Sequence, residues 1–388
     1  MKTDKNLDPA SKILIKYTLF LTVITLTMLT SCKNKTTEKK PAPEEAAQTS
    51  MPFYVGTYTD GESEGIYEYG LSSEGKLSKI GLAAKTSNPS YLAFNKDKDI
   101  LLTVNENDSG TVQSFSIKND SLQLINERPS GGAHPCYIKA NEEGFVLAAN
   151  YSSGSVGLLR LENQGKLSYL LDVDQHSGKG STDRQTGPHA HSVAFLPHDH
   201  KVMQIDLGTN QLWFSKLDTA INRLKPATPR TLDMPKGTGP RHYAFHPKKP
   251  IMYILDELTS SITMVDTAKE KFKVMNTYSM LPEDYSEYNT GAELAVTKDG
   301  KFLYASNRGL NNIAIFKINA DGTLKLLKNT PTKGKMPRNF SLSPDDKFLV
   351  AANQDSNSLV AFRRNKENGD LTYTSEIKAP KPVFILFK

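Results

Sequence analysis

Four residues, His191, Arg241, Glu257 and Arg308, combine side-chain types that can move a proton and hold an anion. A histidine titrates near neutral pH and can activate a water. A guanidinium stays charged and offers forked donors to an oxyanion, carboxylate or phosphate. Glu257 follows Arg241 by 16 residues and suits either of two tasks, orienting that arginine or acting as the acid/base. The pairs His189/His191 and His198/His200 suggest a metal at first sight. The second pair falls in a hairpin turn at the far end of a strand from the first, so the two cannot share an ion. No metal and no cofactor is expected, and no Gly-rich phosphate loop, serine elbow or paired-cysteine motif occurs. Cys136 opens an apolar strand and reads as a small buried hydrophobe.

These residues are spaced by a repeat. A polar turn followed by Leu or Phe recurs at Leu77, Leu122, Leu167, Leu224, Phe272, Leu324 and Leu371, in steps of 45, 45, 57, 48, 52 and 47 residues. In phase with it, Pro89, Pro135, Ala190, Pro240, Gly291, Pro337 and Pro382 each precede a short apolar segment. That period is one of four-stranded units, and the fold class is all-β, a seven-bladed β-propeller. After Pro382 only one strand, Val383 to Phe387, remains, while Phe53 to Leu77 supplies the other three strands of a blade. The two termini should therefore complete one blade and close the ring.

In such a unit the start of the innermost strand and the end of the second lie on one face, because the two strands run antiparallel. The first set contains His134, His189, His191, Arg241, His242, Glu293 and Arg338. The second contains Tyr58, Glu106, Asn150 with Tyr151, Asp206, Asp256 with Glu257, Asn307 with Arg308, and Asn353 with Gln354. All should converge on one mouth of the central channel. His191, Arg241, Glu257 and Arg308 are the catalytic candidates, and Glu106, His134, Asn150, His189, His242, Glu293, Asn307, Arg338 and Gln354 are candidate substrate contacts. Asn150, Asn307 and Asn353 serve equally well as ordinary turn formers.

The motifs Tyr54-Val55-Gly56-Thr57-Tyr58, Val104-Asn105-Glu106, Ala149-Asn150-Tyr151, Gly187-Pro188-His189-Ala190-His191, Gly239-Pro240-Arg241-His242, Asp256-Glu257-Leu258, Ser306-Asn307-Arg308-Gly309 and Pro337-Arg338-Asn339 resemble the lactonase family of seven-bladed propellers. That family includes bacterial 6-phosphogluconolactonases and is related to carboxy-muconate lactonizing enzymes. The resemblance implies metal-independent opening of a sugar lactone at the channel mouth by His191, Arg241, Glu257 and Arg308. His191 is expected to be the base, with Glu257 as the rival. A lactonizing cycloisomerase would use the same pocket, and a non-catalytic binding propeller is the remaining alternative.

The N-terminus reads as an address. Lys12 and Lys16 precede an uncharged run, Tyr17 to Ser31, that is too short for a membrane span and ends in Leu29-Thr30-Ser31-Cys32, similar to a bacterial lipobox. The expected organisation is a lipoprotein signal over 1–32, a solvated tether over 33–50 and the propeller over 51–388. Lipid at Cys32 would anchor a monomer to a bacterial membrane outside the cytoplasm. The net charge of +6 includes +3 from residues 1–50, so the propeller is nearly balanced and no nucleic-acid partner is expected.

Overall fold

A computed structural model describes residues 50–118, 121–197, 199–268 and 272–388. Cys32, the 33–49 part of the tether and His198 lie outside the described residues. The described strands form seven four-stranded antiparallel sheets. In the order inner to outer, blade 1 is Leu92–Phe94, Ile100–Asn105, Thr111–Lys118 and Ser121–Pro129, and blade 2 is Pro135–Ala140, Phe145–Asn150, Ser155–Arg160 and Asp172–Gln175. Blade 3 is Ala190–Phe195, Lys201–Asp206, Gln211–Asp218 and Arg223–Asp233. Blade 4 is Pro240–Phe245, Ile251–Asp256, Ser261–Asp266 and Lys273–Ser279, and blade 5 is Thr290–Val296, Phe302–Arg308, Asn312–Ile318 and Leu324–Pro331. Blade 6 is Pro337–Leu342, Phe348–Asn353, Ser358–Arg364 and Leu371–Lys378.

Blade 7 joins the two ends of the described chain. Its inner strand, Pro382–Phe387, pairs antiparallel with Ser50–Thr57, which leads on to Gly65–Ser72 and Leu77–Lys85. Each inner strand touches those of both neighbours, from Pro382–Phe387 round to Leu92–Phe94 and back, so the ring is closed as the terminal segments suggested.

Seven apolar clusters hold the ring together, each shared by two adjacent blades. The alternation of a strand sends one face to each neighbour. Phe53, Tyr69 and Ile385 of blade 7, for example, meet Phe348 and Val350 of blade 6. Each fully buried Leu or Phe contributes about 1.5–3 kcal/mol. Blade 2 departs from the repeat: Leu167 forms only an isolated bridge with Leu161, and the outer strand begins at Asp172. The backbone of Leu167 is instead clamped by the Asn126 amide of blade 1, which accepts from its N–H and donates to its C=O, both at 2.9 Å.

Two local devices aim side chains at the mouth. In six blades a β-bulge follows the entry of the inner strand, between Pro135 and Tyr137, Ala190 and Ser192, Pro240 and His242, Gly291 and Leu294, Pro337 and Asn339, and opposite Gly56 and Thr57. The residue skipped by the ladder, among them Cys136, His191, Arg241 and Arg338, is thereby turned into the channel. On the second strands, the last ladder residue is buried and the next one faces the mouth, as in Asn105-Glu106, Asn150-Tyr151 and Asp256-Glu257, while in blade 5 the last ladder residue, Arg308, itself faces the mouth.

Candidate active site

The pocket at this mouth is lined by Tyr58, Glu106, Cys136, Tyr151, Arg184, His191, Arg241, Glu257, Arg308 and Arg338 and encloses about 230 Å³. Next to His242, three rings from the inner-strand region pack at a tilt, with Tyr91 3.9 Å from Phe384 and 4.1 Å from Tyr137 between centroids. Arg241 owes its entry to Gly239, at φ +62°, where a Cβ would fall 2.5 Å from Leu258. Glycine suits that turn, since it takes positive φ without a Cβ to press on Leu258.

On one side the charges are tightly knit. Glu257 accepts from Arg241 Nη1 at 2.9 Å, from Arg184 Nη2 at 3.2 Å, and lies 3.0 Å from Arg308 Nη2. Burial alone would raise its pKa, but Arg308, Arg241, Arg184 and Arg338 together hold it at about 2. Arg241 also donates to the Ala292 carbonyl at 2.7 Å and to His191 Nε2. Since a guanidinium can only donate, His191 Nε2 is an acceptor and the ring proton sits on Nδ1, 3.7 Å from Cys136 Sγ. Burial, then Arg241, His242 and Arg338, push the His191 pKa well below 6.5, so the ring is neutral with its lone pair already engaged. Arg308 donates to the Gly291 carbonyl at 2.9 Å, and burial with the nearby guanidiniums brings it down to about 10, still cationic.

The other side is looser. Tyr58 Oη donates to Glu106 Oε2 at 2.9 Å, and Arg338 lies over the Tyr58 ring. The Arg338 guanidinium comes no nearer than 3.9 Å to Glu106 Oε1 and, among the described residues, has no hydrogen-bond partner. Burial pushes both the Tyr58 hydroxyl and the Cys136 thiol upward, so both are protonated at neutral pH.

Of the thirteen residues singled out as catalytic or substrate-contacting from sequence, His191, Arg241, Glu257, Arg308, Glu106 and Arg338 meet in this pocket. The rest do not line it. Asn150 Nδ2 donates to Ser130 O and Ser155 Oγ, each at 3.2 Å, and Asn307 Nδ2 to Met280 O at 3.3 Å and Asn312 Oδ1 at 2.9 Å, so both tie strands to loops. His242 lies beneath His191 with its ring bonded to Glu293 at 3.0 Å, and Glu293 accepts from Asn339 at 2.6 Å. His189 stacks on Tyr151, with centroids 4.5 Å apart; His134 is drawn toward Asp108; Gln354 donates to Asp355. The His189/His191 pair does not offer two ligands to one metal, since the Nε2 lone pair of His191 faces Arg241, while His189 donates Nδ1–H to the Tyr151 carbonyl.

Tyr58, Tyr151, Cys136 and Arg184 complete the pocket. Each of the first two directly follows a second-strand end, and Cys136 directly follows a landmark proline, a signal shared with Glu106, Glu257, Arg308 and Arg338. Arg184 carries no such signal, because it arrives on the crossover segment between blades 2 and 3.

A closed seven-bladed propeller with this cationic mouth is the architecture of a lactonase. Residues 52–387 match the family described as lactonase, 7-bladed beta-propeller, and the chain belongs to that family of lactone-hydrolysing enzymes. It is 38% identical to the 6-phosphogluconolactonase of Bacillus subtilis (strain 168) over 86% of this chain and 97% of the relative. It is 31% identical to a 6-phosphogluconolactonase of Formosa agariphila over 75% of this chain and 86% of that one. Among solved structures, the periplasmic gluconolactonase of Pseudomonas aeruginosa superposes with a TM-score of 0.84 at 29% identity, covering 87% of this chain and 99% of the other.

Proposed function

We propose that this lactonase opens a sugar-acid lactone that carries an anionic group, as 6-phosphogluconolactone does, without a metal ion. One observation carries the reading: four guanidiniums, Arg184, Arg241, Arg308 and Arg338, meet only two carboxylates, Glu106 and Glu257, around one small pocket. With His191 neutral, the mouth holds a surplus of two positive charges, which a phosphate or carboxylate would offset. The relatives named as 6-phosphogluconolactonases support the same substrate class.

Arg241 spends donors on Glu257, His191 and a backbone carbonyl, and Arg308 turns Nη2 to Glu257 and the Gly291 carbonyl while its buried Nε has no partner among the described residues, so their task is to hold a fixed positive field. Arg338 and the half-exposed Arg184 are the arginines placed to meet a ligand. The enzyme acts as a monomer, since one chain supplies the whole pocket, and it works outside the cytoplasm on a lipid anchor at Cys32. Leu29-Thr30-Ser31-Cys32 and the periplasmic relative support that location. Replacing Cys32 by Ala should release the protein from the membrane fraction, and retention there would end the anchor.

The substrate reading is tested by kcat/KM on matched lactones with and without phosphate at rising ionic strength. The phosphorylated lactone should be preferred, with the preference shrinking as salt screens the mouth. Equal rates at every salt concentration would overturn it.

A further inference from the structure

The pocket contains two groups that would ordinarily serve as a general base, and both are already occupied. The one lone pair of His191 that could accept a proton is engaged by Arg241. Glu257 bonds or faces three guanidiniums and is held at about 2, which makes it a poor proton acceptor. Cys136 and Tyr58 are protonated, and Tyr151 Oη accepts from Arg184.

Glu106 differs from all of these. Tyr58 holds one carboxylate oxygen, Oε2, and the other, Oε1, has no hydrogen bond among the described residues. Its backbone is fixed, because Glu106 N donates to Asn88 O at 3.0 Å and the preceding Asn105 bonds Thr86 Oγ1 and Ser87 O from a buried position. Arg338, whose guanidinium has donors to spare, stands beside that free oxygen at 3.9 Å. A positioned acceptor next to an uncommitted oxyanion donor is the pair that addition of water to a carbonyl needs.

We propose that Glu106 is the general base and then the general acid of lactone opening, with Tyr58 as its positioning residue and Arg338 as the donor to the oxyanion. The proposal rests on the lactone-hydrolysis reading above but not on which lactone is used. Glu106 Oε1 takes a proton from water as the water oxygen bonds to the carbonyl carbon. The carbonyl electron pair moves onto its oxygen, facing Arg338. When the carbonyl re-forms, the bond from that carbon to the ring oxygen breaks, and the leaving alkoxide takes the proton back from Glu106. Lactone and water become the hydroxy acid, and the carboxylate is restored.

The test is the pH profile of kcat and KM for Glu106→Gln, Glu106→Asp, Tyr58→Phe and His191→Asn, on whichever lactone the wild type turns over fastest, with melting curves to confirm folding. Glu106→Gln should lower kcat by about 10²–10⁴-fold with KM little changed and should abolish the acidic limb of the profile. Glu106→Asp should restore part of the rate. Tyr58→Phe should shift the limb without removing it, whereas a residue that only shapes the pocket would leave the limb in place. An acidic limb that survives in Glu106→Gln, or disappears in His191→Asn, overturns the assignment. A crystal structure with a non-hydrolysable lactam analogue reads the same point without turnover. A water should bridge Glu106 Oε1 and the carbonyl carbon, and a carbonyl beyond reach of any water on Glu106 sinks the idea.

Discussion

The side of the mouth built by blades 3, 4 and 5 engages most of its donors and acceptors, while the side built by blades 6, 7 and 1 leaves some unspent. Arg241 bonds His191, Glu257 and a main-chain carbonyl, whereas Arg338 has no hydrogen-bond partner among the described residues. The difference teaches that nearness to a pocket does not measure reactivity. A side chain whose hydrogen bonds are complete can supply a field, but it must give up a bond before it can move a proton. The knit side therefore reads as a preorganised electrostatic wall and the loose side as the place of chemistry.

The largest effect should come from cutting the knit. Glu257→Gln removes the one anion that Arg184, Arg241 and Arg308 share. Breaking a buried pair of this kind costs roughly 3–5 kcal/mol, seen as a lower melting temperature together with lost turnover. Arg338→Ala should instead lower turnover by about 10²-fold with stability changed by less than about 1 kcal/mol. Equal melting shifts in the two variants would erase the distinction between the sides.

Acid should separate the sides as well. Glu257 has a folded pKa of about 2, below the 4.5 of a free glutamate, so its stabilising contribution is full above about pH 4.5 and is lost as pH falls through 2. Chemical denaturation between pH 5 and 2 should show this loss in the wild type and not in Glu257→Gln. A parallel decline in both would mean that the arginines do not hold the carboxylate.

A smaller effect is expected one residue earlier. Asp256 is buried, with its carboxyl raised to about 7 despite hydrogen bonds from Thr263 and Ser261, and its Oδ1 has no partner among the described residues. Because the folded pKa lies above the unfolded one, the group costs stability progressively as pH rises from about 4 to 7. Asp256→Asn, which installs the residue found at this place in blades 1, 2, 5 and 6, should raise the melting temperature at pH 8 and change little at pH 4. A destabilised variant at pH 8 would show that the charge is needed there.

The smallest effect is none. Exhaustive chelation should leave activity unchanged, and loss restored by one divalent ion would refute the metal-free reading of both sides.

The architecture was legible because a repeat multiplies weak signals. One polar turn says little, but seven turns in phase with seven landmark residues define blades and even assign the last strand to the blade begun by the N-terminal strands. Pocket membership was partly legible, since Arg241, Glu257, Arg308, His191, Glu106 and Arg338 stand at the expected blade positions. The Asn residues misled because one side-chain type serves both turns and binding. The bulge and the buried Asn show that the position one step further along reaches the pocket, as in Asn105-Glu106 and Asn307-Arg308.

By itself, then, the sequence determined the closed ring, the chemical character of its mouth and most of the residues that reach it, because periodicity and side-chain type are local properties of the chain. Which nitrogen of His191 keeps its proton, how strongly Glu257 is held, where Arg184 arrives and that Glu106 keeps one oxygen free were decided only by the tertiary structure. Those outcomes depend on distances of about 3 Å between residues from different blades, and the strength of such contacts is set by burial that no spacing along the chain encodes.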